Sequence, residues 1–105
     1  MRWIETIRAR TPEQNQKWLS DLLLDSAITV INEPGLVEAR IFRNSSFRNY
    51  MAVAFTWDTD APSPQGSRAA LTLARDLKAS SLVEHSVWIE EESVVFERSS
   101  LSSKR

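Results

Sequence analysis

The segment Leu36–Trp57, LVEARIFRNSSFRNYMAVAFTW, constrains this chain more than any other. It holds two strand-favouring runs, Leu36–Phe42 and Tyr50–Trp57, around the polar turn Arg43-Asn44-Ser45-Ser46. Side chains on a strand alternate between faces. Val37, Ala39 and Ile41 are therefore expected on one side of the first run, with Leu36, Glu38, Arg40 and Phe42 opposite. In the second, Met51, Val53, Phe55 and Trp57 share a face, and Tyr50, Ala52, Ala54 and Thr56 share the other. One face is apolar throughout and the other mixed. That pattern predicts an antiparallel pair with a helix layer on one side only.

The flanking sequence supplies those layers. Arg2–Arg10, RWIETIRAR, alternates and reads as a first strand. Thr11-Pro12-Glu13 reads as a helix start, with a hydroxyl cap, a proline in the first turn and an early acid. In the helix that follows, Trp18, Leu19, Leu22, Leu23 and Val30 fall within an arc of about 140°. Leu24, Ile28 and Ile31 fall on the opposite side, which predicts a second contact. Asn32-Glu33-Pro34-Gly35 ends the helix. After the turn-rich Asp58–Gln65, a second helix is predicted over about Gln65–Ala79, with Ala70, Leu71, Ala74 and Leu77 as its packing stripe. Leu82–Glu91 reads as a fourth strand, with Val83, His85, Val87 and Ile89 on its more apolar side. Val94–Arg98 is a candidate fifth. The order β-α-β-β-α-β is the α+β, ferredoxin-like arrangement. Its usual sheet order puts the first strand between the third and fourth.

Composition narrows the chemistry. The 105 residues form a single domain, with a core over 2–91 and an extension over 93–105, and a chain of this length buries roughly two-thirds of its unfolded surface. No cysteine is present, so disulfides, thiolate metal sites and cysteine nucleophiles are excluded. The net charge is −1 and no basic patch is visible, which argues against nucleic acid as a partner. The charged start, MRWIETIRAR, reads as no export signal, and no apolar run is long enough to cross a membrane; a cytoplasmic location is expected. Glu90-Glu91-Glu92 reads as a solvated strand end rather than a metal site, because neighbours on a strand point apart.

Strand parity brings a small group together. Trp57 and His85 share the helix-facing side, and Glu5 follows if the first strand turns Trp3, Glu5, Ile7 and Ala9 the same way. A carboxylate beside an imidazole in an apolar setting can hold a base for proton transfer. The plainer reading is a buried histidine bonded to backbone, with Glu5 at the rim. The opposite face, with Glu38, Arg40, Tyr50, Thr56, Glu84, Ser86 and Trp88, reads as a homodimer interface in which Arg40 meets a partner's Glu38 or Glu84. Val94–Arg98 is expected to cross to that partner's sheet.

Glu33-Pro34-Gly35 before the second strand, the third strand ending in Phe55-Thr56-Trp57, and a valine-rich fourth strand after a helix resemble the antibiotic biosynthesis monooxygenase-like families. The likeness covers about residues 2–91 and implies a dimeric α/β barrel with a pocket between sheet and helices. It implies oxidation of a small aromatic or polycyclic molecule without a tightly bound cofactor, with His85 and Glu5 as catalytic candidates. Trp57, Phe55 and Trp3 would line the ligand, and no metal is implied. The haem-degrading branch pairs such a tryptophan with an asparagine on the first strand and a histidine on the second helix. This chain has no asparagine between Arg2 and Arg10 and its one histidine is on the fourth strand, so haem degradation is disfavoured. The alternative is a ligand-binding or interaction domain of the same fold without catalysis. RNA-recognition motifs share the element order, and Arg48–Phe55 partly overlaps their third-strand signature, but it lacks the glycine and the second stacking aromatic.

Overall fold

The computed structural model describes residues 1–95. Four strands, β1 (Arg2–Arg10), β2 (Leu36–Arg43), β3 (Tyr50–Asp58) and β4 (Leu82–Ile89), form one antiparallel sheet in the order β2-β3-β1-β4. Two helices, α1 (Gln16–Thr29) and α2 (Arg68–Lys78), pack on one face. This is the ferredoxin-like α+β arrangement the element order predicts, with β1 between β3 and β4.

The core lies between sheet and helices. Strand parity decides its membership: Trp3, Glu5, Ile7 and Ala9 of β1 and Met51, Val53, Phe55 and Trp57 of β3 all point inward. Leu19, Leu23 and Val30 meet them from the first helical segment, and Ala70, Leu73, Ala74 and Leu77 from α2. Leu24, Ile28 and Ile31 are exposed, as their place on the far side of α1 requires, and Trp18 is also substantially exposed. The buried stripe of α2 thus contains Leu73, and Leu71 faces outward. The i, i+3, i+4, i+7 spacing from Ala70 selects Leu73, whereas Leu71 lies about 100° round the helix from Ala70.

Three local expectations are corrected. In β2 the register shifts between Leu36 and Glu38, so that Leu36 stands opposite Trp57 and joins Ala39 and Ile41 against the core. This bulge turns Val37 outward. Thr11 does not cap a helix. Its hydroxyl faces the Ser80 carbonyl at 3.5 Å, its N–H donates to the Asn49 carbonyl, and a 3-10 turn over Glu13–Asn15 precedes α1. Among the described residues no fifth strand follows β4: Val94 and Val95 are exposed and unpaired in the sheet, and the remainder of the Val94–Arg98 expectation lies outside the described residues. No described helix is long and apolar enough to cross a membrane.

Candidate active site

Glu5 sits at the middle of β1 with its side chain turned into the core and no solvent exposure. Burying a carboxylate is costly unless donors replace the lost water. Four groups do so. Oε1 accepts from the Trp57 indole Nε1–H at 2.9 Å and from the Ser67 hydroxyl. Oε2 accepts from the Ser67 backbone N–H at 2.9 Å and lies 3.3 Å from His85 Nε2.

The sheet register explains two of these partners. Glu5 is directly opposite Phe55 on β3 and Val87 on β4. Trp57 and His85 are each displaced by two residues along the neighbouring strands and share Glu5's face, within diagonal reach of a long side chain. The other two donors come from the start of α2. Ser67 is the N-cap of that helix, in extended conformation, and its hydroxyl oxygen accepts from the Ala70 N–H at 3.1 Å. With that lone pair occupied by the helix, the hydroxyl proton is directed to Glu5.

Gly66 sets the closeness of the approach. Its φ of +100° is a conformation that other residues avoid. A Cβ there would overlap His85 Cε1, and would come within 2.7 Å of Nε2 and 2.9 Å of Glu5 Oε2. The backbone at Gly66 is therefore packed directly on the imidazole edge, and only glycine leaves room for the ring to reach Glu5.

The sequence-selected residues divide accordingly. Glu5, His85 and Trp57 meet in one cluster. Trp3 stacks on Trp57, with ring centroids 5.7 Å apart and planes at 19°, and its own Nε1–H donates to the Thr59 hydroxyl at 2.8 Å. Phe55 is fully buried and its ring lies 6.3 Å from that of Trp57. Glu5 is not at a rim, and His85 is bonded to a side chain rather than to backbone. Its imidazole retains partial exposure at 16%. A groove of about 400 Å³ opens between α1 and α2, lined by Leu22, Thr29, Val30, Arg68 and Leu73 among others; Glu5, His85, Trp57, Trp3 and Phe55 are not among its lining residues.

Ser67 and Gly66 escaped the sequence reading. The signal was a Gly-Ser pair in a chain with only two glycines, directly ahead of an apolar helical stripe. Starting the helix at Gln65 hid the cap.

On the outer face of the sheet, Arg8 pairs with Glu84 and Arg40 with Glu38 at 3.2 Å, all within one chain. Phe42 and Trp88 are exposed beside them.

No protein-family profile matches the chain, and no curated protein does. Solved structures do match. Rv0793 from Mycobacterium tuberculosis superposes with a TM-score of 0.70 at 12% identity, over 90% of this chain and 100% of its own. A Deinococcus radiodurans protein grouped by name with the antibiotic biosynthesis monooxygenases gives 0.67 at 15% identity, over 90% and 98%. SnoaB, a cofactor-independent oxygenase from Streptomyces nogalater, gives 0.61 at 18% identity, over 89% and 96%. The chain has the ferredoxin-like α+β fold of the structures named antibiotic biosynthesis monooxygenases.

Proposed function

We propose that this protein is an oxygenase acting on a small aromatic or polycyclic molecule without a tightly bound cofactor. The observation that carries the reading is the Glu5–His85 contact, in which a buried carboxylate braces a partly exposed imidazole beside an indole. Such an imidazole can take the proton of an acidic phenol or an activated C–H group. The substrate anion then supplies its own electrons to dioxygen. A ring CH₂ becomes C=O, the second oxygen atom leaves as water with the carbon's two hydrogens, the one held on His85 being returned to it, and the four electrons gained by O₂ are those lost by the carbon. His85 is the proton acceptor and Glu5 its charge partner. Trp57 and Trp3 form the inner wall of the ligand site, with Phe55 behind them. The similarity to SnoaB supports the reaction class.

The protein works as a homodimer through the open face of the sheet, where Trp88, Phe42 and the two ion pairs give an amphipathic surface. Oxygen consumption with a panel of hydroxylated polycyclic aromatics tests the proposal. We expect uptake with at least one member, and a fall of roughly 10²–10⁴-fold in kcat for His85→Ala. Tight binding with no oxygen uptake, unchanged by His85→Ala, would instead identify a ligand-binding domain without catalysis.

A further inference from the structure

Resting on that reading, we infer that Ser67 is a positioning residue: through Glu5 it fixes the His85 imidazole in the Nε2–H form, leaving Nδ1 as the one atom of the cluster that can accept a proton.

An ionised carboxylate offers about four lone-pair sites and no donor. At Glu5 all four are taken: Trp57 Nε1–H and the Ser67 hydroxyl on Oε1, the Ser67 N–H and His85 on Oε2. The indole and the backbone amide can only donate, one on each oxygen. The Ser67 hydroxyl is oriented because its oxygen already accepts from Ala70 N–H. Glu5 therefore has no site left with which to take a proton from a ligand, and its role is to hold. Because it only accepts, the imidazole atom facing it must carry hydrogen, which places the free lone pair of neutral His85 on Nδ1. No partner for Nδ1 occurs among the described residues, and the ring keeps 16% exposure. Ser67 supplies two of the four donors, and both come from the N-cap of a helix whose start its own side chain fixes.

The chain contains one histidine, so the ring can be observed without ambiguity. Long-range ¹H–¹⁵N correlation spectra of the whole protein, followed upward in pH until the imidazole is neutral, should show a protonated Nε2 and a bare Nδ1. The opposite tautomer, or the averaged pattern of a freely exchanging ring, would overturn the inference. Ser67→Ala should shift the ring towards that averaged pattern and lower kcat by on the order of ten- to a hundred-fold with KM held. Ser67→Thr, which keeps the hydroxyl, should restore both. Ser67→Gly removes the hydroxyl at a cap position where glycine costs the helix little, so it serves if the alanine variant fails to fold. A folded Ser67→Gly with the wild-type imidazole pattern would also sink the inference. The spectra need no substrate, so absence of oxygen uptake would count against the proposed function alone.

Discussion

A carboxylate with no exposure persists in a core only while its donors do, and Glu5 is therefore among the least replaceable residues in the chain. Glu5→Gln makes a clear test. One donor-only group faces each carboxyl oxygen, so the amide NH₂ meets another donor whichever way it is turned. We expect a loss of about 1–3 kcal/mol, read from the midpoint of urea unfolding with the slope unchanged. Gly66→Ala should fail differently. Its methyl group occupies the imidazole's place, so the His85 resonances should change even in variants that stay folded. The Glu5–His85–Trp57 group was legible in the sequence because all three follow from strand parity, a rule with period two. Ser67 and Gly66 were not, since their role depends on where a helix begins and on how near its first turn comes to the sheet. Neither is fixed by a repeating pattern.

Among the elements, α2 carries the sharper consequence. Its buried face is Ala70, Leu73, Ala74 and Leu77, and Leu71 lies outside it. Leu73→Ala should cost about 2–5 kcal/mol, whereas Leu71→Ala should stay within about 0.5 kcal/mol of wild type. Thermal unfolding of the pair separates these faces directly. The sequence contains the i, i+3, i+4, i+7 spacing, but Leu71 beside Ala70 offers a competing apolar position that only the docked helix excludes. β2 marks a similar boundary of what a single strand reveals. Its alternation places Ala39 and Ile41 correctly. A bulge is a mismatch between two strands, so the outward turn of Val37 is absent from either strand read alone.

For the whole molecule, the outer face of the sheet is the surface we propose for the homodimer. Trp88 and Phe42 stand exposed beside ion pairs closed within the chain, Arg40 with Glu38 and Arg8 with Glu84. Sedimentation equilibrium at micromolar concentration should return the mass of two chains, and Trp88→Glu should weaken association at least about tenfold by placing a charge within the proposed contact. Deletion of residues 93–105 tests whether the extension contributes; an unchanged dimer would reduce it to a tail. The junction at Glu5 also has a history in time. Its partners lie 52, 62 and 80 residues further along the chain, so three strands and a helix must be in place before the cluster exists. Contacts this distant in sequence carry a larger loop-closure cost than those within a helix, so they are expected to close after the helices form. The imidazole is then a clock for the end of folding. In a refolding experiment its native resonance should appear with the last phase, after helical signal has recovered, and any chain stalled before that point lacks the proton acceptor we propose.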